Sequence, residues 1–177
     1  MFGALLDAYG AAAVSGEIVV VGLGNSYRRD DGVGIVAATA LNDLALPGVR
    51  VVTDVVEPMS LLEAWAGTVL AVVIDAAVST PSVPGTIRRC TLRDLVDAPE
   101  GVSSHRVNVG RTHALGQVVG RVPDALVVFS IEVADTGHGI GLTPQVAGAV
   151  PEVVGMAVAE INRNWGPARR SRRPASR

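Results

Sequence analysis

The chain has 177 residues, 49% of them hydrophobic, with a mean hydropathy of +0.38, which suffices for one domain with a proper core. The excess is Ala, Val and Leu rather than aromatics, no apolar run approaches the ~20 residues of a membrane span, and the single cysteine, Cys90, excludes an internal disulfide. The net charge of -2 hides an asymmetry: lysine is absent, six of the fifteen arginines lie between Arg163 and Arg177, and the body up to Asn162 sets nine arginines against seventeen acids.

An acidic body with a basic Pro/Ser/Ala-rich tail implies a globule spanning 17–164, with 165–177 as a disordered basic tail. Six arginines without interleaved aromatics do not make a nucleic-acid surface, so no nucleic-acid partner is expected. The opening MFGALLDAYGAAAVSG is weakly apolar, is interrupted by Asp7 and has no basic start, which reads as an extension over 1–16 rather than a signal peptide. One unpaired cysteine fits a reducing cytoplasm, and no membrane contact is expected.

Ile18 to Val21 are all β-branched, as a parallel strand covered on both faces requires. Gly22 and Gly24 then allow a sharp turn, and Asp30 and Asp31 precede a helical run from Val33 to Leu44 that Pro47-Gly48 ends. Val49 to Val52 reads as a second strand, and Pro58 to about Trp65 as a helix with proline in its first turn. Val69 to Ile74 reads as another doubly buried strand, ending directly on Asp75. A Pro/Ser-rich loop leads to Thr86–Leu92, whose charged alternation marks an edge strand, and Asp94 to Gly101 reads as a polar connection. The stretch SSHRVNVGRTHALGQVVG turns helical from about Arg111, and Ala125 to Ile131 is a fifth strand. After the glycine-rich EVADTGHGIG, Thr143-Pro144 opens a closing helix to about Asn164, with Thr143 the N-cap candidate and a possible bend at Pro151. Strands alternating with helices imply a three-layer α/β/α sandwich on a mostly parallel sheet.

In such sheets functional groups gather beyond the carboxyl ends of strands, where strand order reverses. If the order begins 2-1-3, the loop carrying Asp30 and Asp31 and the end of the strand carrying Asp75 flank one crevice. His105 lies in an irregular stretch able to reach it. Two carboxylates and an imidazole suit a borderline divalent ion such as Zn²⁺ or Ni²⁺, with a coordination position left open for water or substrate. The plainer alternatives stand beside this. Asp31 alone fits a helix-dipole acid, and His105 a hydrogen-bonding loop residue. Asp75 is harder to dismiss, because a carboxylate at the end of a covered strand needs a partner. His113 reads as a surface or packing residue, and His138 could line the same cleft, though its glycine-rich loop offers a metal ligand little rigidity. Tyr27 occupies the third glycine position of a dinucleotide fingerprint, and the two acids oppose a pyrophosphate, so no nucleotide cofactor is expected. A serine-hydrolase elbow is also missing.

The stretch GLGNSYRRDDGVG resembles the opening motif of the [NiFe]-hydrogenase maturation endopeptidases, a strand followed by G-x-G-N and D-[DE]-G-x-G. VVIDAAVSTPSVPGTI resembles that family's strand-Asp-loop-Pro-Gly-Thr block, SSHRVNV the block around its histidine, and GIGLTPQVAGAVPEVV its G-L-[ST]-P closing helix. The likeness runs from about Ile18 to Ile161. It implies the α/β/α fold of these proteases, related to phosphorylase/hydrolase-like folds, with about five strands of which one is antiparallel. It also implies an endopeptidase, classed as aspartic-type or metal-assisted, that removes the C-terminal extension of a [NiFe]-hydrogenase large-subunit precursor once nickel is inserted. By the resemblance Asp31, Asp75 and His105 are the metal-binding and catalytic residues, with Ni²⁺ arriving with the substrate. Asn25, Asp30 and Glu57 are supporting residues, and a small enzyme of this kind is expected to be a monomer. The chain departs from the family pattern at Val56 in TDVVEP and at Arg106 and Asn108 after the histidine. The alternative reading is a noncatalytic nickel-binding, metallochaperone-type module on the same fold.

Overall fold

The computed structural model describes residues 16–96 and 107–165. Five strands form one sheet: β1 (Ile18–Gly22), β2 (Val49–Val52), β3 (Leu70–Ala77), β4 (Ile87–Cys90) and β5 (Leu126–Glu132), in the order β2-β1-β3-β5-β4. All pairings are parallel except that of β4 with β5, so the antiparallel strand is the expected edge strand. The helices are α1 (Val33–Asn42), α2 (Pro58–Trp65), α3 (Leu92–Val96), α4 (Val109–Val119) and α5 (Pro144–Trp165).

Strand alternation decides the layers. Ile18, Val20, Leu70, Val72 and Ile74 point to one side, where Val33, Ala37 and Leu41 of α1 and Val153, Ala157 and Ile161 of α5 cover them. Val19, Val21, Ala71 and Val73 point to the other, under Leu61, Leu62 and Trp65 of α2 and Val109 of α4. Both faces are dry, which is why β1 and β3 read as continuous apolar runs. Among the described residues no helix is long and apolar enough to cross a membrane.

Three sequence expectations shift. β3 does not end on Asp75: it runs to Ala77, because β5 goes on pairing with it through Asp75↔Ser130, Ala76↔Ile131 and Ala77↔Glu132. The connection after β4 opens with the short helix α3, started by Thr91 and Asp94. The Thr91 amide and hydroxyl donate to Asp94 Oδ2, both at 2.7 Å, and the Asp94 amide returns to Thr91 Oγ1, a capping-box exchange. Helix α4 starts at Val109, two residues earlier than Arg111, because Asn108 Oδ1 caps it by accepting from the Arg111 amide at 2.9 Å. That cap gives one departure from the family pattern a local cause. Helix α5 continues through Pro151.

Two buried glutamates tie the edge region down. Glu160 of α5 accepts from Arg89 of β4 and from Arg163, clipping the edge strand to the helix layer. Glu132, at the end of β5, accepts from the Val83 amide at 2.7 Å and from Arg88 at 2.6 Å. The Val83 bond is the main cause holding its carboxyl below the ordinary range, against the opposing effect of burial and with help from Ser79 and Arg88. This fixes the loop that follows β3.

Candidate active site

The loop after β1 is a close-packed turn whose shape is set by its backbone contacts. Leu23 donates to the Ile74 carbonyl at 2.9 Å, extending the β1–β3 ladder by one bond. The chain then leaves the sheet at Gly24, which has φ 140°, and a Cβ there would stand 2.1 Å from the Asp31 carbonyl oxygen. Only glycine allows that approach. Asn25 is exposed; its Oδ1 accepts from the Tyr27 amide at 2.9 Å, its own amide donates to Asp31 O, and its carbonyl accepts from the Arg28 amide. Asn25 thus shapes the turn that carries the acids.

The acids sit in a 3₁₀ turn, Arg29–Gly32, that leads into α1. In such a turn successive side chains diverge by about a third of a revolution, so neighbouring acids face different surroundings. Asp30 is fully buried, at 0% exposure, and its carboxylate receives four hydrogen bonds from the loop between β5 and α5. Oδ1 accepts from the Thr143 amide at 2.6 Å; Oδ2 accepts from Thr143 Oγ1 at 2.9 Å, the Asp135 amide at 3.0 Å and the Ala134 amide at 3.1 Å. Burial alone pushes the Asp30 carboxyl up, and these donors outweigh it, so the group is held below the ordinary carboxylate value. The Thr143 hydroxyl, expected as a helix cap, is turned to Asp30.

The same two loops are joined by backbone bonds. Arg29 N donates to Gly139 O, Gly139 N to Tyr27 O, and Asp30 N to Asp135 O, at 2.9–3.0 Å. Arg28 Nε donates to Thr136 O at 3.1 Å, and Arg29 pairs with Asp135 at 3.4 Å. This grip holds Arg29 at φ 48°, a left-handed conformation that a non-glycine residue adopts only when its surroundings impose it.

Asp31, 1% exposed, lies three residues before Gly34, about one turn along the same face of the 3₁₀–α1 segment. Gly34 marks where that face points: a Cβ there would be 2.3 Å from both the Ile74 and the Leu23 carbonyl oxygens. Asp31 is therefore carried above the strand ends of β1 and β3. Asp75, 6% exposed, directly follows Ile74, and its Oδ1 accepts from the Ala76 amide at 2.8 Å. On the β5 side Asp75 lies within a ladder; on the β1 side pairing has stopped at Gly22↔Ile74. The two buried acids expected to flank one crevice thus stand on neighbouring segments, the turn after β1 and the part of β3 just past its pairing with β1.

His105 lies outside the described residues. Among the described residues, no group of three His, Cys, Asp or Glu side chains is placed to hold a metal ion. What they contribute is a pair of carboxylates, oxygen donors that fit a divalent ion needing one further ligand. Glu57 is exposed and precedes α2 as its extended N-cap residue, on the loop after β2 at the same end of the sheet. His138 is exposed, with its backbone carbonyl near Arg29 Nε at 3.4 Å. His113 is buried on α4, edge-on to Trp65 with ring centroids 6.2 Å apart, and burial pushes its imidazole below the ordinary value. It is a packing residue, the second of the two roles its sequence allowed. Sequence reasoning missed the partnership of Asp30 with Thr143; the signal available was a threonine beside the proline of a glycine-rich loop.

The family model for hydrogenase maturation protease matches residues 40–160, about two thirds of the chain. The chain belongs to the hydrogenase maturation protease family. The match takes in Asp75, the position of His105, and Thr143, and begins after Asp31. Among solved structures, the hydrogenase maturating endopeptidase HybD from E. coli is similar with a TM-score of 0.73 at 22% identity, over 82% of this chain and 91% of that one. The [NiFe] hydrogenase maturation protease HybD from Thermococcus kodakarensis gives 0.68 at 21% identity, over 82% and 99%. The endopeptidase HycI from Escherichia coli gives 0.63 at 18% identity, over 84% and 93%. Among curated protein sequences none matches this chain. The five-stranded mixed sheet is the fold of these proteases, and family membership makes the chain a maturation endopeptidase by kinship.

Proposed function

We propose that this protein removes the C-terminal extension of a [NiFe]-hydrogenase large-subunit precursor after nickel insertion. What supports the reading is that Asp31 and Asp75 are both buried, one on the turn after β1 and the other on neighbouring β3 just past its last pairing with β1. Two buried carboxylates from separate segments are oxygen donors of the kind a divalent cation takes. In this reading Asp31, Asp75 and His105 hold the nickel that the precursor brings, and that ion supplies electrophilic assistance to peptide hydrolysis.

The chain's own residues do the positioning. The Ala76 amide fixes one oxygen of Asp75. The turn from Gly24 to Gly32 fixes Asp31, with Asn25 and Asp30 as its supports. Glu57 stands on the neighbouring loop. Exposed Tyr27, Val56 and Ile140 stand on the loops after β1, β2 and β5, giving a protein substrate apolar surface around the crevice. The protein acts as a monomer, and its lone cysteine supports the cytoplasm as its place of work.

The test is to mix the purified protein with nickel-loaded precursor and follow loss of the C-terminal peptide by mass. Asp31→Ala, Asp75→Asn and His105→Ala each lose cleavage by 100-fold or more, on the order expected for removing a metal ligand or acid. Wild-type cleavage rates in all three variants refute the site. Tight nickel binding by the wild-type protein with no cleavage of any precursor makes it a noncatalytic metal carrier instead.

A further inference from the structure

Asp30 adjoins the proposed catalytic Asp31, yet its carboxylate is occupied by a loop more than a hundred residues away in sequence. Asp31's place depends on that occupation. The turn holding it is short, has no side-chain cap at its start, and passes through a left-handed Arg29. The loop from Ala134 to Thr143 supplies what the turn lacks, and Thr143 is its main anchor, donating both its amide at 2.6 Å and its hydroxyl at 2.9 Å. The amide belongs to any residue at that position. The hydroxyl is specific to threonine or serine.

We propose that Thr143 is a positioning residue for the hydrolysis, acting through Asp30 to fix the turn that aims Asp31 at the crevice. This rests on the proposed function for its catalytic consequence, but not for its structural one. Loss of the hydroxyl leaves Asp30 Oδ2 with two of its three donors and lets the 3₁₀ turn sample other orientations. Asp31 then spends less time in the productive geometry, which lowers turnover more than substrate affinity, since the substitution removes none of the exposed apolar side chains around the crevice.

The experiment compares the full-length wild type with Thr143→Val, Thr143→Ser and Ile161→Val. The last removes a methyl from the α5 core far from the turn and serves as a control for general destabilisation. Two readouts are taken well below each melting point. The first is kcat and KM for cleavage of nickel-loaded precursor. The second is amide hydrogen exchange at Asn25 and Asp31, whose N–H groups donate to Asp31 O and Arg28 O within the turn. We expect Thr143→Val to lower kcat about tenfold with KM within about twofold, as for a displaced catalytic group. Its exchange at Asn25 and Asp31 rises about tenfold, the change from opening the turn. Thr143→Ser restores both, and Ile161→Val moves neither. Wild-type kcat in Thr143→Val, no rescue by serine, or the same changes in Ile161→Val overturns the proposal. If the wild type cleaves no precursor, the functional reading falls, and the exchange decides the positioning claim alone: unchanged exchange in Thr143→Val overturns it.

Discussion

Replacing Asp30 tests whether the acid pair is divided between structure and chemistry. The carboxylate has four donors, three of them backbone amides that cannot turn away without moving the loop. A hydrogen bond to a charged group contributes about 1.5–3 kcal/mol, but four on one carboxylate do not add, and Ala134 and its neighbours regain some water when the acid is gone. Asp30→Ala is therefore expected to lose about 4 kcal/mol, equivalent to a melting point lower by on the order of 10 °C for a chain of this size. Asp30→Asn keeps one acceptor oxygen, so it serves either the Thr143 amide or the three donors at Oδ2, and about 2–3 kcal/mol is lost. The pH dependence carries the sign. The folded carboxyl is held below its ordinary value of 3.8, so the unfolded chain binds the proton first as pH falls. The stabilisation is complete above the unfolded value and disappears as pH drops through the folded one. The gap between wild type and Asp30→Asn, measured by urea unfolding, is thus constant from pH 7 to about pH 5 and narrows below about pH 4. An Asp30→Ala protein within 1 kcal/mol of wild type at pH 7, or a gap unaffected by acid, refutes the reasoning.

Gly34→Ala sets a methyl 2.3 Å from two carbonyl oxygens and is expected to cost about 3 kcal/mol, read by thermal unfolding; full stability would mean α1 does not pack on the strand ends as described. Glu160→Ala unpins β4 from α5 and loses about 2 kcal/mol, less than a fully buried pair because Arg89 and Arg163 are 45% and 67% exposed and rehydrate. Hydrogen exchange in Ile87–Cys90 rises with it, and unaltered exchange there counts against the clip. His113 is kept neutral by burial, so stability falls as pH drops below its unfolded value of 6.5, where the unfolded imidazole charges first. In His113→Phe that slope between pH 7 and pH 5 is lost, and an unchanged slope assigns the dependence elsewhere.

Much of the fold was legible because both sheet faces are buried. That makes β1 and β3 apolar runs that nothing else in a 177-residue chain explains. The errors fell where local and long-range signals compete. Asp75 looked like a strand end because a charge usually stops a buried run, but pairing with β5 on one flank carries the strand to Ala77. Leu92 looked like the end of the edge strand and the residues from Asp94 like a polar connection, because the five-residue helix depends on the Thr91–Asp94 exchange, which is too short for periodicity to register. The acids of the site were legible as a pair, because two carboxylates after a glycine turn are costly without a purpose. Their division was not. Asp30 and Asp31 are equivalent letters until the chain brings Thr143, more than a hundred positions on, against one of them.

The sheet order explains why the crevice opens where it does. β1 leads through α1 to β2, on the face shared with α5; β2 leads through α2 to β3, across the opposite face. The chain therefore leaves β1 toward one edge, while its other neighbour β3 was reached from the far side of the sheet. Above their carboxyl ends the loop after β5 reaches back to the turn after β1, and the two together bound the space over β3. Register sharpens the opening. Pairing of β1 with β3 closes at Gly22↔Ile74, the bond from Leu23 to Ile74 is the last, and Gly24 turns the chain away. Asp75 is then held straight by β5 on one side with the β1 flank vacated beside it. A turn rather than a longer strand must fill the place above, and Asp31 comes back over Ile74 on that turn. Lengthening β1 by two paired residues would keep the core and close the crevice, so the glycine at position 24 matters as much to the site as the acids do.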